Sequence, residues 1–127
     1  MWIIRSILAY IEDFMHVESS YGTDQDYKDF VSAAHDLDLK VIQDVTPNHS
    51  GDVHPFAEEA ATYGEASQYW HYYQSEYIPH NANGLGDCFT PEGIYYYCGF
   101  SERLLNWDWR DLDARRYMTG VYEYWME

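Results

Sequence analysis

The chain has few basic residues, few cysteines and no long apolar run, and each shortage narrows the range of functions. Seven Lys and Arg stand against 22 Asp and Glu, which gives a formal net charge of −15. A surface this acidic repels phosphate groups, so we expect neither a nucleic acid nor an anionic membrane as partner. No stretch reaches the roughly 20 apolar residues that a membrane-spanning helix needs, so we also expect no membrane insertion.

The two cysteines leave the cellular compartment open. Cys88 and Cys98 bracket a loop-like stretch. They are compatible with one disulfide, as in secreted proteins, and equally with two free thiols. The apolar N-terminal residues have no small-residue cleavage site and continue directly into IEDF, so we expect no signal peptide.

Length and aromatic content set the next bounds. A chain of 127 residues suits one ordinary domain, whereas a complete (β/α)8 barrel needs about 250 residues. Fourteen Tyr and five Trp contribute to an aromatic content of 19%. Rings with polar edges suit a surface that stacks on neutral, hydroxylated ligands, but packing explains the same composition and is favoured in the absence of a motif.

The most informative segment is residues 39–49. An unalternated apolar run predicts a strand at 39–45 that is covered on both faces. Asp44 lies within this run, and Asn48 and His49 follow it. In α/β barrels, binding and catalytic residues lie at the carboxyl ends of the strands. The pattern therefore indicates groups that bind sugar hydroxyls or a metal ion.

Helical patterns lie on both sides of this segment. Thr23 and Asp26 form a predicted capping box, after which apolar residues recur at helical spacing until Asp38. Asp38 tolerates the left-handed backbone that commonly ends a helix. A second helical pattern begins at Asp111 or Asp113.

Residues 50–104 have a different character. Gly- and Pro-rich turns separate Tyr- and Trp-rich pieces that have no sustained period. The pattern predicts a short helix within 56–73 and a short strand at 94–97. Because a structureless loop of this length is unusual in a compact domain, we expect an inserted subdomain.

Three segments of the chain resemble the alpha-amylase family, glycoside hydrolase family 13. The strongest is residues 21–50, YGTDQDYKDFVSAAHDLDLKVIQDVTPNHS, which resembles the segment leading into the family's first signature region. Residues 11–19, IEDFMHVES, are similar to its Asp-aromatic stretch. Residues 104–126, LLNWDWRDLDARRYMTGVYEYWM, resemble its return from an inserted domain into the third barrel helix.

The resemblance implies an α/β fold, namely a fragment of a TIM (β/α)8 barrel that runs from the end of strand 2 through helix 3. Residues 1–49 would be the barrel segment, 50–104 an irregular, aromatic-rich subdomain inserted after strand 3, and 105–127 the return to the barrel. An incomplete barrel should leave the apolar stripes around Tyr27 and Tyr117 exposed.

The resemblance also implies a reaction class. The complete protein would be a retaining glycosidase or transglycosidase acting on an α-glucan or maltooligosaccharide. Retaining chemistry needs two carboxyl groups about 5–5.5 Å apart, and the resemblance places both in strands after Glu127. We therefore expect a fragment that is inactive alone and requires no cofactor. A non-catalytic carbohydrate-binding protein that uses its aromatic surface is the alternative.

Four residues take site roles from the resemblance. His49 would hydrogen-bond a hydroxyl of the sugar at the cleavage subsite, and Asp13 would organise the floor of the site. Tyr10 would stack beneath the sugar ring, although it lies one residue closer to Asp13 than is usual in the family. Asp44 would arrange the site through hydrogen bonds, whereas from the sequence alone a solvated or turn-stabilising carboxylate is the more ordinary interpretation.

Two asparagines bear on a structural calcium ion. Asn48 matches a position that often donates its side-chain oxygen to calcium. Asn106 stands where many amylases carry a calcium-binding Asp, and its neutral amide is a weaker ligand. Because calcium prefers several oxygen ligands, the resemblance makes calcium compatible with the chain without requiring it.

Overall fold

A computed structural model describes residues 10–76 and 86–126, which divide into two compact units. The helix unit is Phe14–Val45. The main unit contains the described residues before Phe14 and those from Thr46 onward. The apolar stretch expected to end barrel strand 2 lies largely in residues 1–9, outside the described residues.

The helix unit is built around α1, Asp24–Asp36, which follows a single 3-10 turn at Ser19–Tyr21. The predicted capping box is confirmed, since the Asp26 amide donates to Thr23 Oγ1 at 3.1 Å and the Thr23 amide donates to Asp26 Oδ2 at 2.8 Å. These bonds satisfy backbone donors that a helix start leaves open. Asp38 has φ 58°, the left-handed conformation expected just after the helix.

The apolar side of this unit is exposed. No residue of α1 is buried, and Phe30 and Leu37 are 58% and 72% exposed, which confirms the expectation for the Tyr27 stripe. The predicted covered strand at 39–45 is wrong for this structure: the segment is not assigned as a strand, and Ile42 is 94% exposed. A strand needs a neighbouring strand for its backbone hydrogen bonds, and one helix supplies none.

Two antiparallel ribbons form the strands of the main unit. Strand β1, His49–Gly51, pairs with β4, Leu104–Asn106. Strand β2, Asp87–Phe89, pairs with β3, Tyr95–Tyr97, so the short strand predicted at 94–97 is confirmed. Within the described ranges every pairing is antiparallel.

Two helices complete the main unit. Helix α2, Pro55–Tyr63, begins after His54, whose Nδ1 accepts a hydrogen bond from the Phe56 amide. Helix α3, Leu112–Met126, begins as predicted. The Asp111 carboxylate accepts a hydrogen bond from the Asp113 amide in the first turn of this helix. None of the helices within 10–76 and 86–126 is long and apolar enough to cross a bilayer.

Aromatic rings form the centre of the main unit. Trp107 is 1% exposed, and the Tyr73 ring stacks on it with centroids 4.7 Å apart. The Tyr117 ring of α3 lies 5.8 Å from Trp107 and 4.9 Å from Phe56. The stripe on α3 is therefore largely covered, with Met118 buried, and the expectation that it would be exposed is wrong. Rings from the aromatic-rich segment cover it, so packing accounts for much of the aromatic content.

A disulfide closes the second ribbon. Cys88 of β2 is bonded to Cys98, the residue after β3, which resolves the alternatives that the sequence left open. The Cys98 amide also donates to the Gly86 carbonyl at 2.7 Å. The crosslink therefore lies beside a backbone hydrogen bond at the open end of the ribbon.

Replacing both cysteines, Cys88→Ala with Cys98→Ala, should lower the free energy of unfolding by about 2–3 kcal/mol, because the unfolded chain regains the entropy of a loop of about ten residues. Urea unfolding followed by circular dichroism measures the loss. Reduced wild-type protein is the control, and its urea midpoint should equal that of the variant. Equal midpoints for the oxidised protein and the variant would show that the crosslink contributes no stability.

Candidate functional site

The β1–β4 ribbon places its side chains on two distinct faces. His49 lies opposite Asn106 in the ladder, and Gly51 lies opposite Leu104. Alternate residues of a strand share a face, and directly opposed residues share it as well. We call the face that carries these four residues the site face. Ser50 points the other way, and its Oγ lies 3.0 Å from the buried Tyr73 hydroxyl.

His49 is the predicted sugar-binding residue, and it begins β1. It is 2% exposed, and its Nδ1 lies 3.1 Å from Nδ2 of Asn48. An amide nitrogen donates only, so Nδ1 accepts this bond, and the proton of the neutral ring lies on Nε2. The side chain of Asn48 therefore fixes the tautomer in which Nε2 is a hydrogen-bond donor.

Phe100 is a neighbour of His49 that sequence reasoning missed. The two ring centroids are 5.4 Å apart with the planes tilted by 54°, and Phe100 is 72% exposed. It lies in the turn between β3 and β4, where the sequence has no period to mark it. An exposed ring beside a buried imidazole is a combination that suits a sugar, which has an apolar face and a polar rim.

Tyr10, the predicted stacking residue, lies over Gly51. A Cβ placed on Gly51 would lie 3.0 Å from Tyr10 Cε2 and 3.1 Å from the Ile11 carbonyl oxygen, so a larger residue here would need these neighbours to shift by a few tenths of an ångström. Because the Cβ position of Gly51 is on the site face and is directed at the Tyr10 ring, that ring lies on the site face as well. The structure thus brings together Tyr10, His49 and Asn106, which are far apart in sequence.

Asp52 and Arg103 hold the hydroxyl of Tyr10, and sequence reasoning missed both. The Tyr10 hydroxyl donates to Asp52 Oδ1 and accepts from Arg103 Nη2, which lies 2.6 Å away. Burial alone would raise the pKa of the Asp52 carboxyl, but hydrogen bonds from Arg103 and Tyr10 outweigh it and lower the pKa. Burial, aided by the hydrogen bond to Asp52, raises the pKa of the Tyr10 phenol.

The two other predicted carboxylates are both exposed. Asp13 is exposed, and its charge acts on His54 and Tyr117 in the main unit. Asp44 is exposed in the extended segment of the helix unit. The assigned roles of both residues remain predictions.

The described residues hold no cluster of carboxylates for a calcium ion. Asn106 is 6% exposed, and within the described ranges its Oδ1 has no hydrogen-bond partner. Calcium takes about six to eight oxygen ligands, whereas the part of the chain that the structure describes holds no group of three His, Cys, Asp or Glu able to bind a metal ion. The Asn48 amide is bonded to His49. The Asn106 oxygen is thus a buried acceptor on the site face, and a ligand hydroxyl can satisfy it.

His54 is a buried titratable group near the start of α2. It is 2% exposed, and its Nε2 lies 3.4 Å from the Tyr117 hydroxyl. Burial disfavours the charged imidazole and lowers its pKa to about 4, while the negative charge of Asp13 acts in the opposite direction. Burial also raises the pKa of Tyr117 to about 12.

Comparison with known proteins decides the family. Residues 9–127 match the sequence profile of the alpha-amylase catalytic domain. The chain belongs to the alpha-amylase family. Its relatives include the alpha-amylase MalA of Haloarcula japonica, 29% identical over 118 residues, which cover 92% of this chain and 15% of that protein. Another is the amino acid transporter heavy chain SLC3A1 of Mus musculus, 36% identical over 81 residues, which cover 64% of this chain and 11% of that protein.

Solved structures of alpha-amylase-family enzymes show the same fold. The trehalose-6-phosphate hydrolase of Bacillus licheniformis superimposes with a TM-score of 0.84 at 22% identity, covering 99% of this chain and 24% of that chain. An alpha-amylase from H. orenii gives a TM-score of 0.80 at 25% identity, covering 92% and 25%. This alpha-amylase-family chain therefore has the fold of part of a TIM-barrel glycosidase and spans about a quarter of those chains.

The buried His54 predicts how stability depends on pH. The pKa of His54 in the folded protein lies below its unfolded value of about 6.5. Its contribution to the free energy of unfolding is therefore fully present above pH 6.5 and is lost as the pH falls towards 4, by about 3 kcal/mol in total. His54→Asn keeps a side-chain acceptor for the start of α2 and removes this titration. Urea unfolding between pH 4 and 7 should give a flatter profile for the variant. Parallel profiles for the two proteins would contradict the assignment.

Proposed function

We propose that this chain supplies one wall of the sugar pocket of a glycosidase-type enzyme that acts on α-glucosidic bonds of an α-glucan or maltooligosaccharide. Within that enzyme it would run from the end of barrel strand 2 through the third barrel helix, with residues 50–104 as the inserted subdomain. The observation that carries the proposal is the site face, where His49 lies between a tautomer-fixing amide and the exposed ring of Phe100.

The groups on this face match the chemistry of a glucosyl unit. A hydroxyl both donates and accepts, so its oxygen can accept a hydrogen bond from His49 Nε2 while its O–H donates to Asn106 Oδ1. The CH-rich face of a sugar ring is apolar and packs on an aromatic side chain, the part that Phe100 and Tyr10 offer. His49 is 2% exposed and Phe100 is 72% exposed, so the Phe100 ring is the accessible one of this pair.

Bond cleavage needs groups that the site face does not carry. Retaining hydrolysis uses a nucleophilic carboxylate and a second carboxyl group as acid and base. Asp52, the carboxylate nearest to the site face in sequence, is bound to Arg103 and Tyr10. We place both catalytic carboxyl groups outside residues 1–127, and within this pocket the chain binds and orients the sugar. A hydrogen bond from His49 that strengthens in the transition state would then contribute to the rate.

A second candidate function is a non-catalytic family member that keeps the sugar-binding face. The support is the mouse relative, whose name is that of an amino acid transporter heavy chain. Binding without turnover distinguishes this candidate from the first.

Maltotriose tests both candidates. The protein is expressed as encoded, with whatever the reading frame supplies around residues 1–127, and the release of glucose is measured. His49→Phe keeps a ring against Phe100 and removes both ring nitrogens, so it should lower kcat about 10- to 100-fold, as expected for the loss of one strong hydrogen bond.

Two controls define the outcome. His35→Gln alters an exposed histidine of α1 and should leave both kcat and the melting temperature unchanged. Melting of His49→Phe shows whether the folded state survives the substitution. Saturable binding without glucose release supports the non-catalytic candidate. A folded protein that neither binds nor cleaves maltotriose refutes the proposed function.

A further inference from the structure

We propose that Asp52 and Arg103 are positioning residues, which fix the ring of Tyr10 over Gly51 so that it forms a preset stacking surface beside His49. The inference deepens the proposed function and rests on it. It is carried by a network that joins three segments far apart in the sequence.

The Arg103 guanidinium contacts both partners at once. Its Nε donates to Asp52 Oδ2 at 3.1 Å, and its Nη2 donates to Asp52 Oδ1 at 3.2 Å and to the Tyr10 hydroxyl oxygen at 2.6 Å. The Tyr10 hydroxyl in turn donates to Asp52 Oδ1. The phenol therefore both accepts and donates within the network, and this fixes the position of the hydroxyl end of the ring.

Contacts to the ring itself fix its orientation. The guanidinium carbon of Arg103 lies over the Tyr10 ring, 4.6 Å from its centroid, in cation–π contact. The ring edge lies so close to Gly51 that any Cβ there would contact it at 3.0 Å. The Gly51 amide also donates to the carbonyl of Ile11 at 2.9 Å, which ties the backbone next to Tyr10 to β1. The ring and hydroxyl of Tyr10 and the adjoining backbone are therefore all fixed in position.

The position of this network relates it to the sugar pocket. Gly51 and His49 share the site face two residues apart, which is about 7 Å along a strand. This spacing is comparable to the width of a hexose ring. The backbone pairing of β1 and β4 continues past the ribbon, since the Asp52 amide donates to the Arg103 carbonyl at 3.0 Å. The network therefore lies at one end of the site face, and His49 with Asn106 lies at the other.

A purely stabilising role explains the network less well. The side chains of Arg103 and Asp52 are 60% and 37% exposed, and ion pairs with this exposure contribute little to stability. What the pair does achieve is to order an aromatic ring before a ligand arrives, which removes an entropic cost from binding.

Isothermal titration with maltotriose, on the protein as encoded, tests the proposal. Tyr10→Phe, Asp52→Asn and Arg103→Lys should each raise Kd about 3- to 10-fold, the effect of one hydrogen bond on an ordered binding surface. The double variant Tyr10→Phe with Asp52→Asn should bind about as well as the weaker single variant, because both remove the same restraint. Asp52→Glu keeps the carboxylate and should recover part of the affinity.

Arg116→Gln is the matched control. It removes another exposed ion pair, Arg116 with Asp113 at 2.9 Å in α3, and should leave Kd unchanged. If Asp52→Asn unfolds, Tyr10→Phe decides the question, because it keeps the ring and loses only the hydroxyl.

Three results overturn the proposal, and they are distinguishable. Folded variants that bind maltotriose within about twofold of wild type, even with a lower melting temperature, would show that the network only stabilises the fold. Additive losses in the double variant would show that Tyr10 and Asp52 affect binding independently, which contradicts a shared restraint on the ring. A wild-type protein that does not bind maltotriose overturns the proposed function itself, and the positioning role with it.

Discussion

The candidate site depends on the antiparallel pairing of β1 with β4. This ladder has three residues on each strand and joins parts of the chain more than fifty positions apart. It places His49 opposite Asn106 and allows Asp52 to meet Arg103. A shift of one residue in the register would turn His49 towards the core and bring Ser50 onto the site face, because side chains alternate along a strand. The register of the ribbon therefore determines which polar groups meet.

The two faces of this ribbon have different physical requirements. On the core side, the Ser50 hydroxyl is bonded to Tyr73, whose ring stacks on Trp107. These contacts satisfy a buried hydroxyl and fill space, so they hold the strand in place. On the site face, the Oδ1 of Asn106 has no partner within the described ranges. A buried acceptor in that state is costly unless a water molecule or a ligand hydroxyl satisfies it, and the proposed sugar would supply such a hydroxyl.

Local features of the fold could be predicted from the sequence. The capping box at Thr23, the left-handed Asp38 and the start of α3 near Asp111 depend on residues within four positions of each other. The family motif also predicts a site role for His49, which stays a prediction. Prediction failed where partners are distant: a strand at 39–45 needs neighbouring strands, which the helix unit does not contain.

The missed site residues have the same explanation. Phe100 contacts His49, and Arg103 contacts Asp52, only because the β1–β4 register brings them together. Neither Phe100 nor Arg103 belongs to a periodic pattern or a motif. From the sequence, the two cysteines could be free thiols or a disulfide. The β2–β3 ribbon brings them together, and they form the disulfide. Sequence therefore proposed His49 as a site residue, and the fold was needed to show its neighbours.

The nuclear magnetic resonance spectrum of the protein during a maltotriose titration tests the central claim most directly. If the site face is a sugar-binding wall, the ring signals of His49 and Tyr10 and the side-chain amide signals of Asn106 will shift together and saturate at one ligand concentration. Shifts confined to exposed rings outside this face, such as Tyr63, with those three residues unchanged, would contradict the account.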